Sequence, residues 1–551
     1  MSFSPAALAA IAKVQILDQN QAGYFAVAMV GLFGIFTALR WLRFTRPRSK
    51  SHDGKVAMVV RISRNLRAVL LRSTYGFTST GHALLFITYL VINVILMVTR
   101  IDFSELLNVG KRLGWLAVCN LTLITFLALK NTPLAFLTAY SYERLNPLHQ
   151  LAGYTTITCM LLHGIIQLVA LHQSDEIFIM RETASWVGGI AATAALVILV
   201  TSLLLRKLRY EVFYVIHIVM YMLILIAVGL HRPDFATKTL IIVTIAAGLW
   251  LSDRLVRAGR MVNNLSGNRV TVTSLPHNGV RVTLCRPLWR AAPGSHAFLW
   301  IPGIRALETH PFTMVSTNPV EMVIKAHDGF TKDLHAYAVR HPGGTLRASI
   351  DGPYGTLPDF LDFDRIVLVA GGSGASFIFG VALKVISQAT LPTFVYSNTL
   401  LAEMISWFRP EFEELEVSPL VQMNVYLTRS TSDSPLSASA GRTASNSSAE
   451  LSVEKQRSAG DEELDVGAYA SEKKVISDVR ATGRSTQFQV GRPHVRTVIE
   501  QAVGRADPSD RVVVAGCGPT LLMKGIRRTV AACVARRDGP SIELHCEEFG
   551  W

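Results

Sequence analysis

Charge is scarce in this chain. Only 17% of its 551 residues are charged and 50% are hydrophobic, with a mean hydropathy of +0.34, whereas a soluble globular protein carries about 25% charge. That balance argues against a wholly water-soluble protein. Cysteine is sparse too: six residues, scattered, with no C-x-x-C pair, which speaks against a disulfide-stapled scaffold or a thiolate metal knuckle. The 39 glycines follow no triplet period, so a collagen-like chain is out. At roughly 150 residues per domain, the length asks for three or four units.

What the chain has in quantity is long apolar runs. Stretches of about 20 such residues, enough to cross a bilayer as a helix, fall near 22–43, 82–100, 113–130, 147–171, 184–205, 210–231 and 237–256. The first starts too far from the N-terminus, and lacks the small-residue cleavage site, of a cleaved signal peptide, so it reads as a retained helix. From Arg40 to Arg72, ten Lys or Arg face one acid, Asp53. Such basic segments stay on the cytoplasmic side. Counting spans alternately from there, Arg206, Lys207, Arg209, Arg254, Arg257 and Arg260 fall on the same side, and the acidic loop around Asp175, Glu176 and Glu182 on the other. The expected topology puts the N-terminus outside and the large C-terminal part in the cytosol. The net charge of +14 then belongs mainly to membrane flanks, with anionic lipid as a secondary contact. No nucleic-acid partner is expected.

Four histidines carry the chemistry. His149 and His163 lie in one span and His217 and His231 in another, each pair fourteen residues apart. At 100° and 1.5 Å per residue, fourteen steps return to nearly the same helix face about 21 Å further along. One helix separates the two spans, so they run in the same direction. His149 can then oppose His217 near the inner side, and His163 can oppose His231 further out. Opposed imidazoles without accompanying carboxylates or thiols suit the two axial positions of haem iron better than zinc, and haem b is the expected group. Filled axial positions favour electron transfer over oxygen insertion. The plainer reading is four core histidines bonded to neighbouring helices, and it is retained for His82 and His172, which lack such a partner.

From about residue 265 the pattern changes to short alternating runs. In "NRVTVTSLPHNGVRVTLC" (268–285), β-branched residues flank Asn278-Gly279, a hairpin-turn pair, so a small antiparallel barrel is expected. "HPFTMVS" (310–316) offers a ring face and hydroxyls from Phe312, Thr313 and Ser316 to a flat polar cofactor. "HDGFTKDL" places Gly329 and Thr331 before a predicted helix whose free N–H groups suit a pyrophosphate. "DGPYG" (351–355) reads as a turn. Then "RIVLVA" (365–370) and "GGSGAS" (371–376) give strand, glycine turn and helix, and "RVVVAGCGPT" (511–520) gives a second strand end at Cys517, Gly518 and Pro519. Residues 431–487, rich in Ser, Ala, Gly and charge, are expected to be a disordered insertion.

In the two fourteen-spaced histidine pairs, "HPFTMVS", "GGSGAS", "GCGP" and the terminal "CEEFGW", the chain resembles the fungal ferric reductase transmembrane component family, ferric-chelate reductases related to the NADPH oxidases. The likeness covers most of residues 80–551. It implies a helical membrane bundle of about seven spans, followed by a ferredoxin-NADP reductase-like module: an antiparallel β-barrel FAD domain and an α/β nucleotide-binding domain. The expected divisions are an N-terminal span and basic loop (1–80), a haem domain (81–260), an FAD barrel (261–357) and an NADPH domain (358–551).

Residue by residue, the resemblance implies two haem b held by His149, His163, His217 and His231. It implies FAD contacts from His310, Pro311, Phe312, Thr313, Met314, Val315, Ser316, Gly329 and Thr331. NADPH would meet Gly371, Gly372, Ser373, Gly374, Cys517, Gly518 and Pro519, with Cys517 near the nicotinamide and Trp551 covering the flavin. Where many relatives carry an Arg after the second strand of the nucleotide domain, this chain has "VYSNTL" with Ser397 and Asn398. Arg429 is the substitute candidate for a 2′-phosphate.

Electron counting orders these parts: nicotinamide gives two electrons together and haem iron takes one, so a flavin must stand between them. The resulting expectation is a plasma-membrane metalloreductase passing electrons from cytosolic NADPH to external ferric or cupric chelates for iron uptake. A superoxide-forming oxidase is the alternative, and a non-enzymatic transporter or receptor with a regulatory nucleotide domain stands third. The sequence specifies no oligomer.

Overall fold

The computed structural model describes residues 5–44, 54–138, 140–232, 236–388, 394–400, 405–427, 486–536 and 539–547. The chain divides into two compact units, one from residues 1–49 and 83–258, the other from 50–82 and 259–551.

The helices are α1 (Pro5–Phe44), α2 (Gly54–Leu71), α3 (Thr80–Val98), α4 (Leu106–Ala128), α5 (Pro133–Thr138), α6 (Tyr142–Gln173), α7 (Thr183–Leu208), α8 (Tyr210–His231) and α9 (Thr237–Leu265), then α10 (Gly329–Arg340), α11 (Ala375–Gln388), α12 (Arg409–Val417), α13 (Val495–Gly504) and α14 (Thr520–Val534). Among the described residues, seven are long and apolar enough to cross a membrane: α1, α3, α4, α6, α7, α8 and α9. They match the seven expected runs.

In the first unit α4 is the enclosed helix, with Leu113, Leu116, Ala117, Leu121 and Leu127 all buried. Ile87, Val94, Leu203, Val215 and Ile226 on α3, α7 and α8 point outward. An apolar exterior is what a hydrocarbon solvent selects, since backbone polar groups are satisfied inside each helix. Only Arg209 separates α7 from α8, which folds them into an antiparallel hairpin.

Several deeply buried polar side chains inside this unit pair with one another, which offsets the cost of burial in an apolar medium. Arg112 Nε donates to Asp18 Oδ1 at 2.6 Å, binding α1 to α4, and both side chains are almost wholly buried. Its remaining N–H groups go to the carbonyls of Leu96, Thr99 and Arg100. Tyr89 Oη donates to Asn120 Oδ1 at 2.6 Å, and Asn120 Nδ2 donates to Asn93 Oδ1 at 2.7 Å.

The second unit opens with α2, whose Ala68 and Leu71 pack on the α/β core and whose Arg67 donates to the Ile542 carbonyl at 2.7 Å. A barrel follows, formed by β1 (Arg269–Leu275), β2 (Gly279–Leu284), β3 (His296–Trp300), β4 (His310–Thr317), β5 (Val320–Lys325), β6 (Thr345–Arg347) and β7 (Ser349–Tyr354). The strand order is β6-β1-β2-β5-β4-β3-β7, with every pairing antiparallel. β6 and β7 are consecutive, separated only by buried Ala348, yet they sit at opposite ends of that order. One strand passing from edge to edge closes the sheet. Period-two burial of Val270, Val272, Val280, Val282, Val320, Met322 and Ile324 builds the interior.

Two local expectations change. Positive φ falls on His277 and Asn278 rather than on Gly279, which is the first residue of β2; its missing side chain makes room for Trp407, since a β-carbon there would lie 2.5 Å from the indole. "DGPYG" is mostly strand, not turn. Asp351 and Tyr354 are held there by Arg260 of the last α9 turn, with Arg260 Nε 2.9 Å from Asp351 Oδ1, Arg260 Nη2 donating to Tyr354 Oη at 2.6 Å and Tyr354 Oη donating to Asp351 Oδ2 at 2.8 Å.

The third layer system is a parallel sheet of β8 (Arg365–Gly371), β9 (Phe394–Leu400), β10 (Val421–Leu427), β11 (Thr486–Val490), β12 (Arg511–Cys517) and β13 (Ser541–Glu547), in the order β11-β10-β9-β8-β12-β13. β8 and β12 read "RIVLVAG" and "RVVVAGC", the continuous apolar pattern of strands covered on both faces. Residues 486 and 487, placed in the insertion by composition, belong to β11 and pair with Met423 and Asn424. The rest of that insertion, Arg429 and Trp551 lie outside the described residues.

Candidate functional site

The four span histidines meet in two pairs. The ring centroids of His149 and His217 are 6.3 Å apart and those of His163 and His231 are 6.0 Å apart, with steep interplanar angles of 63° and 74°. The helices fix this arrangement through their backbones. His163 Nδ1 donates to the Gly110 carbonyl at 2.8 Å, and His149 Nδ1 to the Ile124 carbonyl at 2.9 Å. Fourteen residues down α6 correspond to fourteen residues up α4, so one antiparallel register serves both rings. His231 Nδ1 donates to the Ala184 carbonyl at 2.7 Å.

A carbonyl oxygen can only accept, so each of these three Nδ1 atoms carries the hydrogen and each Nε2 keeps its lone pair. That tautomer is the metal-binding one, and a backbone acceptor on the far nitrogen is the usual support of a ligating histidine. Two imidazoles sharing one metal at about 2.0 Å from each nitrogen would have centroids roughly 6 Å apart, which both pairs match. Room has also been left. A β-carbon on Gly188 would stand 2.6 Å from the His231 ring, and one on Gly114 would stand 3.1 Å from His163. Each glycine lies four residues beyond the carbonyl that anchors its ring. The residues present therefore fit two bis-imidazole haem sites. His82, by contrast, pairs with the Thr78 hydroxyl.

The second constellation lies where the parallel sheet reverses its order. β8 and β12 are neighbours, with the remaining strands added outward on either side, so their carboxyl ends form the crevice in which open α/β sheets take ligands. Gly371, Gly372, Ser373 and Gly374 follow β8, and Cys517, Gly518 and Pro519 end β12; Cys517 pairs with Ala370. The two turns touch. A β-carbon on Gly518 would lie 2.9 Å from the Gly371 nitrogen, and one on Gly374 would meet the Cys517 carbonyl and stand 3.1 Å from its Sγ. Gly372 takes φ +58°, and the chain then enters α11, whose free N–H groups suit an anion.

On the barrel, β4 carries "HPFTMVST". Because it is a strand throughout, its side chains alternate and cannot all face one ligand. His310 stacks on Phe330 of α10 at 4.8 Å, and Phe312 lies 6.3 Å from the same ring. Met314 and Val315 have no more than 1% exposure and belong to the barrel and α/β cores. Their side chains are packed inward, so it is the backbone atoms of those two that stay available to a ligand. Gly329 opens α10 with φ +53°, and the Thr331 hydroxyl caps that turn, accepting from His327 N–H and donating to the Asp328 carbonyl. Beside them Arg305 bridges Glu308 at 2.7 Å and Asp333 at 2.9 Å. Partial burial alone would raise the Glu308 pKa, but hydrogen bonds from Arg305 and His310 outweigh it and hold the carboxylate below its ordinary range.

Sequence reading missed the clamp between barrel and α/β layers. Arg281 of β2 donates to both Glu411 oxygens at 2.8 and 3.0 Å, to Glu321 at 2.6 Å and to the Trp407 carbonyl at 2.7 Å. Its partners lie 40, 126 and 130 residues away, beyond any local pattern.

Residues 113–228 match the family model for the ferric reductase like transmembrane component, residues 264–357 that of an FAD-binding domain, and residues 363–531 that of the ferric reductase NAD binding domain. Ferric reductase transmembrane component 3 of Saccharomyces cerevisiae is 26% identical over 462 residues, 80% of this chain and 61% of that protein. Ferric/cupric reductase transmembrane component 2 of the same yeast is 24% identical, covering 83% and 63%. A probable cell surface ferric reductase of Aspergillus oryzae is 27% identical, covering 61% and 50%. The chain thus spans about six-tenths of the length of the two yeast relatives. A ferredoxin NADP+ reductase from Neisseria gonorrhoeae with bound FAD and NADP superposes with a TM-score of 0.31 at 15% identity, over 50% of this chain and 97% of that one. In order along the chain, then, three segments match a ferric reductase like transmembrane component, an FAD-binding domain and a ferric reductase NAD binding domain, and the relatives it resembles are named ferric reductase transmembrane components.

Proposed function

We propose that this chain is a plasma-membrane metalloreductase that takes reducing equivalents from cytosolic NADPH and delivers them to an external ferric, secondarily cupric, chelate in the service of iron uptake. The observation that carries the reading is the two opposed imidazole pairs, 6.3 and 6.0 Å between centroids, in the same chain as a nucleotide crevice. When bound, FAD would exchange electrons in twos and ones and two b-type haems would exchange them singly.

The chain's own residues then have distinct tasks. His149 with His217, and His163 with His231, would each hold one haem iron through Nε2 lone pairs, and the bound group would supply single-electron transfer. The fourteen-residue interval sets the two sites at depths about 21 Å apart along their helices. Gly371, Gly372, Ser373 and Gly374 let a dinucleotide pyrophosphate approach the α11 N-terminus. Cys517, Gly518 and Pro519 shape the nicotinamide end, and Arg429 supplies a fork for a 2′-phosphate. His310 and Phe312 present ring faces to a flavin, Gly329 and Thr331 present the α10 start to its phosphates, and Trp551 shields the flavin ring. The basic residues from Arg40 to Arg72 support a cytosolic nucleotide module.

The test is anaerobic addition of NADPH to membranes containing the full chain while recording haem absorption bands, followed by ferric chelate and dioxygen in separate trials. Rapid reoxidation by ferric chelate with slow reoxidation by dioxygen is the expected result. The opposite order makes the protein an oxidase, and purified protein without haem removes the redox reading altogether.

A further inference from the structure

Three of the four imidazoles are tied to a carbonyl, and the fourth is not. The α7–α8 hairpin pairs His231 with Ala184. Carried fourteen residues along the same antiparallel register, as α4 and α6 carry theirs, it would set His217 opposite the Ile198 carbonyl. His217 Nδ1 is nevertheless buried with no hydrogen-bond partner. The Thr201 hydroxyl, one turn beyond Ile198, donates to the Val197 carbonyl at 2.7 Å and reaches the Ile198 carbonyl at 3.2 Å. A helical carbonyl keeps one lone pair after its helix bond, and here a threonine competes for it. At the three anchored positions the residue three beyond the acceptor is Leu113, Leu127 or Val187, none of which carries a hydroxyl.

Resting on the haem reading above, we propose that Thr201 withholds the Ile198 carbonyl from His217 and thereby sets the reduction potential of the His149–His217 site above the value a fully anchored pair would give. An Nδ1–H···O=C bond pushes electron density toward Nε2 and makes the ring a stronger donor, which stabilises ferric iron. A ring without that bond donates less and favours the ferrous state. His217 is instead steadied by packing, with the Phe213 ring 5.4 Å away. Thr201 is a positioning residue, acting on the metal site only through its neighbour.

Purified full-length protein is first assayed for haem content and then titrated potentiometrically, as wild type, Thr201→Val and Thr201→Ser, and again with each combined with His163→Ala so that only the His149–His217 site remains. Thr201→Val should lower one of the two midpoints and leave the other in place. The expected size is about tenfold in the oxidised-to-reduced ratio at fixed poise, or 59 mV for one electron. Thr201→Ser, which keeps the hydroxyl, should titrate like wild type. Thr201→Ala serves in place of valine if that variant does not fold. Two haems with unchanged midpoints in the valine or alanine variant overturn the inference while leaving the haem reading intact, as does an equal shift of both midpoints. Wild-type protein without haem overturns both.

Discussion

Gly188 lies against the His231 imidazole so closely that its own β-carbon, were there one, would fall 2.6 Å from two ring atoms. A ring that must move by that much leaves its hydrogen bond to Ala184. Gly188→Ala should therefore lose one of two haems, halving the haem-to-protein ratio by extraction assay. Gly189→Ala, at a position with nothing within 4 Å, should keep both. Equal haem in the two variants would mean that the glycine is not a seat for the ring.

His163→Ala removes one ligand of the second pair and spares the first. The protein should retain a single low-spin haem and lose transfer to external ferric chelate. NADPH oxidation by soluble dyes should continue near the wild-type rate. Retained chelate reduction would break the assignment of the His163–His231 site to the acceptor side.

Arg281 and Glu411 form a two-pronged, largely buried pair, with 13% and 5% of the side chains exposed. Removing one partner strands the other charge, so Arg281→Met should destabilise the unit that carries the barrel and the α/β sheet by about 3 kcal/mol, seen as a lower midpoint in denaturant unfolding. Combining it with Glu411→Leu should recover much of that loss. Additive losses would show that the charges are not coupled.

Deletion of Trp551 should loosen discrimination between NADPH and NADH by uncovering the flavin face to either nicotinamide. The ratio of kcat/KM for the two cofactors is the measure. An unchanged ratio takes that residue out of the site.

The fourteen-residue histidine repeat was legible in the sequence because helix geometry converts spacing directly into face and depth. The partners of those rings were not. Ile124, Gly110 and Ala184 act through backbone carbonyls, which every residue possesses, so their side chains carry no signal. Gly114 and Gly188 did leave a trace, as glycines inside apolar helices where they cost about 1 kcal/mol against alanine. The parallel strands were readable from "RIVLVA" and "RVVVA", and their adjacency at the crevice followed from sheet order, which no single strand states. Gly279 looked like a turn residue because it follows Asn278; its reason for being glycine is Trp407, 128 positions later. Met314 and Val315 are neighbours on one strand, so one side chain enters the barrel core and the other the α/β core, a division that a motif read as a string does not state.

The Asp18–Arg112 bond gives the first helix an obligation that its bland apolar sequence conceals. Arg112 sits midway between Gly110, which anchors His163, and Gly114, which makes space for it. A chain shortened to start after residue 44 would leave the Arg112 guanidinium without its buried counter-ion, on the very turn that seats His163. Trimming the N-terminus would then be felt as a bleached spectrum rather than as a lost anchor.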